Sequence, residues 1–240
     1  MSDDIRGGRL EVSGVKVAYG DMTAVWDAGL TASPGRVTVL LGRNGAGKTS
    51  LLNGIAGSLP SSAGSVVLDG KDLSGSPAWK RARSGISLVQ EGRRIFGDLR
   101  VDENLLLGLP RVSSAERRRL LDDVFEDFPL LHEMRARVAG HLSGGQQQLL
   151  AIAQAVAGRP RVLLVDEPSS GLSPVAFAQV LDVIKSVRDR GLAVVLVDQL
   201  VDLLLDGIAD DVVVLDRGRV TFAGSAEQMT PDRITSDFLA

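Results

Sequence analysis

Cysteine is absent from all 240 positions of this chain. Disulfides, thiolate metal sites and thiol catalysis are therefore excluded, and a cytosolic location is compatible with the composition. Histidine is scarce, with only His132 and His141, and Tyr19 is the single tyrosine. No apolar run approaches the ~20 residues needed to span a bilayer, so at a membrane other chains would do the spanning. The opening residues Met1, Ser2, Asp3 and Asp4 carry no apolar stretch, and no secretory leader is expected. An excess of positive charge is missing too. The net charge of −3 and a pI near 5.5 argue against a nucleic-acid platform. The compact basic cluster Arg117, Arg118 and Arg119 is flanked by Glu116, Asp122 and Asp123, and reads as a mixed-charge helix face.

A hydrophobic content of 44% in a chain of this length can bury a substantial core, as one large domain or a domain with an inserted subdomain. The residues Gly42, Arg43, Asn44, Gly45, Ala46, Gly47, Lys48 and Thr49 have the spacing of a phosphate-binding P-loop. Its glycines let the backbone turn tightly and aim N–H groups at phosphate oxygens. Lys48 is placed to neutralise the β/γ-phosphates, and the Thr49 hydroxyl to take one Mg²⁺ position. An apolar run from Arg36 to Leu41 precedes the loop as a buried strand. The segment from Thr49 through Ser50 to Ala56 follows it as a helix whose N-terminus faces the phosphates. A nucleoside triphosphate, ATP or GTP, is the expected ligand.

Around this centre the first third alternates like strands, over 9–18, 25–31 and a hairpin arm at 64–70, before a short helix at 77–83 and a strand at 86–89. From about Val101 to Ala157 the spacing turns helical, with segments at 101–107, 114–128 and 145–157 punctuated by Pro110 and Pro129. Strand and helix then alternate to about Ala223. This pattern predicts an α/β core with a parallel sheet, interrupted by a helical insertion. Within the later part, Val162 to Val165 forms a strand ending in Asp166 and Glu167. At that strand end Asp166 can organise Mg²⁺, and Glu167 can orient or deprotonate an attacking water.

A further segment, Leu142, Ser143, Gly144, Gly145 and Gln146, reads as a glycine-opened helix N-terminus suited to phosphate. P-loop, LSGGQ and Asp-Glu in this order resemble the ATP-binding cassette (ABC) ATPases over essentially the entire chain. The resemblance implies a P-loop NTPase core with an antiparallel β subdomain and an inserted α-helical subdomain. Mapped here, residues 1–89 and 158–240 form the core and 90–157 the helical part. It further implies a head-to-tail dimer in which the LSGGQ residues serve the partner's ATP, and makes Tyr19, which by itself reads as a packing residue, the adenine-stacking aromatic.

Besides Ser173 and Pro174, which stand where the family's dimer-contact loop usually has an Asp after Leu172, two positions depart from the family pattern. The glutamine loop falls at Gln90 and Glu91: Gln90 supplies the residue type and would also be a Mg²⁺ ligand, whereas alignment on Gly92 and Arg93 selects Glu91. Both stay candidates. At the switch position the usual histidine is replaced by Gln199, which can hydrogen-bond a γ-phosphate but cannot carry a proton or positive charge. Slow intrinsic turnover, or dependence on a partner ATPase with the histidine, is the expectation.

The string from Glu91 to Leu105, with Arg43, Ser169 and the Asp198-Gln199 pair, resembles the ATPase subunits of branched-chain amino-acid importers and their urea/amide relatives. That branch implies integral membrane permease subunits, a second ABC ATPase and, indirectly, a solute-binding protein as partners. No nucleic acid is implied, and the location would be the cytoplasmic face of the membrane. Phe96 is then a candidate permease contact, with packing between subdomains as the alternative. A non-transport ABC ATPase and an ATP-holding regulatory module are the rival readings.

Overall fold

The computed structural model describes residues 6–110 and 112–229. Among the described residues ten strands form one sheet. Strand β1 (Leu10–Tyr19) pairs antiparallel with β2 (Met22–Ala32) and with β4 (Ser61–Leu68), and β4 pairs with the short β5 (Lys71–Asp72). The other half is built from β3 (Val37–Leu41), β6 (Ile86–Val89), β7 (Val162–Asp166) and β8 (Ala193–Val197). Its remaining strands are β9 (Asp211–Asp216) and β10 (Arg219–Ser225). Across the sheet the order is β5-β4-β1-β2-β10-β9-β3-β8-β7-β6. The run from β9 to β6 is parallel, and a single pairing between Arg219 and Asp27 joins it, through β10, to the antiparallel wing.

Parallel strands covered on both faces should be apolar at every position, and β3, β7 and β8 are buried throughout. Alternate residues enter two separate cores: Val39, Leu163 and Leu196 point to one, Leu40, Leu164 and Val195 to the other. The second core is closed by α1 (Lys48–Ala56), which contributes Leu51, Leu52 and Ile55. The first is closed by α3 (Val101–Gly108), α4 (Ser114–Asp127), α6 (Gly144–Ala157) and α7 (Pro174–Asp189).

The helical stretch between β6 and β7 differs from the sequence reading in one respect. The helix expected over 114–128 ends at Asp127, and Pro129 starts a separate short helix, α5 (Pro129–Glu133). A proline lacks the N–H that a continuing helix needs but suits a first helical position. Smaller shifts occur at β2, which begins at Met22, and at α8 (Val201–Gly207), two residues shorter than expected. The tail residues Asp237, Phe238 and Leu239 lie outside the described residues.

Between β5 and β6, α2 (Ala78–Ser84) carries a side chain the sequence reading passed over. Arg81 is only 2% exposed, and burial pushes its pKa down, opposed by Asp72. Its guanidinium donates to the Gly54 and Ile55 carbonyls at 2.7 and 2.8 Å, and to those of Ser74 and Ser76. It thus caps the C-terminal turn of α1, where a cation is favoured. Arg81→Met should lower stability by about 3–5 kcal/mol, because a set of buried carbonyls loses its donor. Urea unfolding checks this: the midpoint should fall with an unchanged slope.

Candidate nucleotide site

The expected phosphate, cation and hydrolysis residues follow the carboxyl ends of parallel strands, the edge where such sheets carry ligands, whereas the adenine-stacking candidate Tyr19 ends the antiparallel β1. The P-loop follows β3, Gln90 and Glu91 follow β6, Asp166 closes β7 with Glu167 behind it, and Asp198 and Gln199 follow β8. Register fixes their heights, since Val197 pairs with both Leu40 and Asp166. A cavity of about 430 Å³ opens at this edge. It is lined by Tyr19, Asn44, Gly45, Gly47, Lys48, Thr49, Ser50, Glu167 and Gln199, with Met22 and Ala24 beside them.

Two glycines of the loop are required sterically. A Cβ at Gly42 would lie 2.3 Å from the Leu215 carbonyl oxygen. At Gly47, with φ at +104°, it would lie 2.6 Å from that of Ala24. Arg43 and Ala46 stand outside the cavity lining. They shape the loop instead: the Ala46 N–H donates to the Arg43 carbonyl, and the Ala46 carbonyl accepts from the Gly218 N–H. The Lys48 ammonium donates to the carbonyls of Gly42 and Arg43 at 2.7 and 3.2 Å. Burial lowers its pKa, while Glu167, Asp166 and Asp198 act in the opposite sense. A phosphate would supply the missing counter-charge.

Thr49 Oγ1 donates to Asp166 Oδ1 at 3.2 Å. Asp166 is 1% exposed, and its carboxyl is pushed up to about 6, chiefly by burial. The Thr49 bond and Lys48 lower it, whereas Glu167 and Glu91 raise it further. An oxygen-only pair whose carboxylate is costly to ionise fits a hard divalent cation. Among the described residues there is no group of three or more histidine, cysteine or acidic residues that could hold a metal ion.

Glu167 adopts φ +45°, a strained value for a residue with a Cβ. Its N–H is fixed by the Val197 carbonyl at 2.8 Å, and its Oε2 accepts from Gln199 Nε2 at 2.9 Å. Gln199 therefore holds the carboxylate itself. Behind both lies Asp198, 2% exposed, a residue whose role the sequence reading missed. Its carboxylate accepts from the Ser169 N–H and hydroxyl at 2.9 and 2.7 Å, and from the N–H groups of Gln199 and Leu200 at 2.7 and 3.1 Å. The available signal was positional: Asp198 follows β8 as Asp166 ends β7.

Gln90 and Glu91 turn to different partners. The Gln90 amide donates to Asn53 Oδ1 at 3.2 Å, and Asn53 in turn donates to the Thr49 carbonyl at 2.8 Å. Gln90 is thus coupled to the P-loop helix, whereas Glu91 accepts from the Ser170 hydroxyl at 3.4 Å. Neither lines the cavity. Tyr19 is half exposed at the cavity mouth, with its hydroxyl 3.3 Å from Ser50 Oγ, which leaves a ring face open to a base.

The signature residues stand apart. Leu142 is buried, while Ser143 and Gln146 close a reciprocal capping box on α6: Gln146 N–H to Ser143 Oγ at 3.4 Å, and Ser143 N–H to Gln146 Oε1 at 3.0 Å. Gly144 and Gly145 form the first turn, and none of the five lines the P-loop cavity. His132 packs against Phe125 and His141 sits in a short 3-10 turn, so neither joins the site. Phe96 is 54% exposed rather than packed between subdomains. Its backbone is held at both ends by the fully buried Asn104.

Comparison with known proteins gives a consistent picture. The family model for the ABC transporter matches residues 25–170. The high-affinity branched-chain amino acid transport ATP-binding protein BraG of Pseudomonas aeruginosa is 39% identical over 206 residues, 86% of this chain and 88% of its own. The lipopolysaccharide export system ATP-binding protein LptB of Haemophilus influenzae is 33% identical, over 90% of each chain. The crystal structure of the ADP conformation of an ATP-binding cassette from an ABC transporter superposes with a TM-score of 0.83. It is 24% identical and covers 97% of this chain and 96% of its own. Among the described residues no helix is long and apolar enough to cross a membrane.

Proposed function

Because the chain belongs to the ABC transporter family as an ATP-binding ATPase subunit, we propose that it energises an importer of branched-chain amino acids or related amides. The higher identity to BraG than to LptB supports import over lipopolysaccharide export. In this reading residues 1–89 and 158–240 form the ATP-binding core, and 90–157 the helical subdomain. The protein lies on the cytoplasmic face of the membrane. It docks on integral permease subunits, with exposed Phe96 as one contact, and reaches a solute-binding protein only through them.

The observation that carries the proposal is the division of the site. Lys48, Thr49 and Glu167 line one cavity with Asp166 directly behind Thr49, while Leu142 to Gln146 lie outside it. A second ABC ATPase subunit, identical or different, would supply its own signature segment to this cavity. ATP would stack its adenine on Tyr19 and lay its phosphates along the N–H groups of residues 42–50, with Lys48 as counter-charge. Thr49 and Asp166 would hold Mg²⁺, with Gln90 adjoining through Asn53, and the ion when bound would neutralise phosphate charge. Glu167 would take the proton of the attacking water, and Gln199 would hold Glu167 in place. Glu91 would link the glutamine loop to Ser170 rather than bind the ion.

Gln199→Ala should reduce ATP turnover about tenfold, since an unrestrained carboxylate loses its alignment to water. Phosphate-release kinetics at saturating ATP checks it, and an unchanged rate would remove Gln199 from the machinery. The proposal as a whole is tested by mild-detergent affinity capture from native membranes, with mass identification of the co-purifying chains. Two polytopic permeases plus a second cassette ATPase support the importer. A lipid-export complex, soluble partners only, or no partners would overturn it.

A further inference from the structure

Arg93 and Arg94 follow one another in left-handed backbone conformations, at φ +66° and +44°. Two successive residues with Cβ atoms in that region are strained, and they persist only where other contacts hold them. Arg93 has such contacts. Its Nη1 donates to Gln147 Oε1 in the first turns of α6 at 3.3 Å. Its Nη2 donates to the carbonyls of Ser170 and Gly171 at 3.2 and 3.4 Å. One planar group thereby spans three segments distant in sequence: the glutamine loop, the signature helix and the loop behind Glu167.

The surrounding glycines are fitted to this guanidinium. A Cβ at Gly144 would sit 3.0 Å from Nη2 and 3.3 Å from Cζ, and one at Gly171 would sit 3.3 Å from Nη2. The arrangement is not what helix stability alone would favour, because it brings a cation to the positive end of α6. The loop it grips is tied directly to the catalytic carboxylate's backbone. The Ser170 N–H donates to the Glu167 carbonyl at 3.2 Å, and Glu91 accepts from the Ser170 hydroxyl.

We infer that Arg93 is a positioning residue for ATP hydrolysis, a strap that makes the signature helix and the Glu167 loop move as one unit. The inference rests on the reading of Glu167 as the catalytic base. Any displacement of α6 relative to β7 is transmitted through the fork to Ser170 and Gly171, and from there to Glu167. A lysine cannot replace it, since a single ammonium lacks the planar fork that reaches Gln147 and the two carbonyls together.

The test is steady-state ATPase kinetics on the full chain, together with its second ATPase chain if capture recovers one. Arg93→Ala should lower kcat about tenfold while KM for ATP stays within about twofold. Arg93→Lys should not restore the rate. Arg94→Ala, which alters the neighbouring strained position, should behave as wild type. Gln147→Ala should cost less in the Arg93→Ala background than in wild type, because both remove the same link. A wild-type kcat for Arg93→Ala, full rescue by lysine, or an equal loss in Arg94→Ala would overturn the inference. Insensitivity of the wild-type rate to Glu167→Gln would instead sink the reading of Glu167, and the two failures are told apart in one experiment.

Discussion

Glu167→Gln is expected to reduce ATP turnover by about 100- to 1,000-fold while the nucleotide remains bound. The amide has nearly the shape of the carboxylate but cannot accept a proton from water. Binding should not suffer. Glu167 is the first of the carboxylates acting on Lys48 and raises the proton affinity of Asp166. Removing its charge relieves repulsion toward the incoming phosphates and leaves Lys48 more fully committed to them. The lost step is therefore cleavage, and an ATP-bound dimer should accumulate. Size-exclusion chromatography with ATP and Mg²⁺ should show a species of twice the chain's mass that persists in the variant and decays in wild type. Equal turnover and equal dimer lifetimes would mean that another group activates the water.

Persistence of that dimer also bears on the signature segment. In the single chain Ser143 and Gln146 are bound to each other in the capping box, so their side chains are committed within their own helix. The N–H groups of Gly144 and Gly145, by contrast, are the donors that a helix N-terminus presents to an anion, while that of Gln146 is taken by the cap. A second subunit's phosphate can thus be met by backbone without first breaking the cap.

How much of this was readable beforehand differs by residue, for physical reasons. The P-loop was legible because its residue types stand at a fixed spacing between a strand and a helix, although the contacts that demand glycine at 42 and 47 come from the carbonyls of Leu215 and Ala24, remote in sequence. Asp166 and Glu167 were legible from their place at a strand end. Asp198 occupies the equivalent place but is legible only as half of the Asp198-Gln199 pair, because its work consists of bonds to Ser169, a residue that returns from another loop. Gln90 and Glu91 could not be ranked, since adjacent residues in a loop differ only in direction, and direction comes from tertiary packing. Arg81 belongs to no motif, and Arg93 is visible only as an alignment anchor beside Gly92 and as part of the string from Glu91 to Leu105. What makes each structural is a set of carbonyl acceptors, and carbonyls leave no mark in a sequence. The start of β2 was missed although Gly20-Asp21 is a turn signal that lets Tyr19 pair with Met22.

Asp166→Asn should move stability and activity in opposite directions. In the nucleotide-free protein Asp166 is buried, with its carboxyl pushed up from 3.8 to about 6. The folded state thus binds this proton more tightly than the unfolded chain does. The sign follows: no penalty exists below pH ~4, stability is lost as the pH rises toward 6, and the full penalty stands above that. A shift of this size corresponds to about 3 kcal/mol. An amide keeps an oxygen to accept from Thr49 and has no charge to bury. The variant without nucleotide should melt roughly 5–10 °C above wild type at pH 7.5, with the gap closing near pH 4. Addition of ATP and Mg²⁺ should reverse the ranking, because wild type gains from ligand binding while the variant has lost the charge proposed to hold the ion. Hydrolysis in the variant should fall at least 100-fold. Thermal melts at several pH values, with and without Mg²⁺ and nucleotide, decide the matter. A variant less stable than wild type in the absence of ligand would show that the Asp166 charge is compensated in the free protein, and melts that stay parallel on adding ligand would remove it from the cation site.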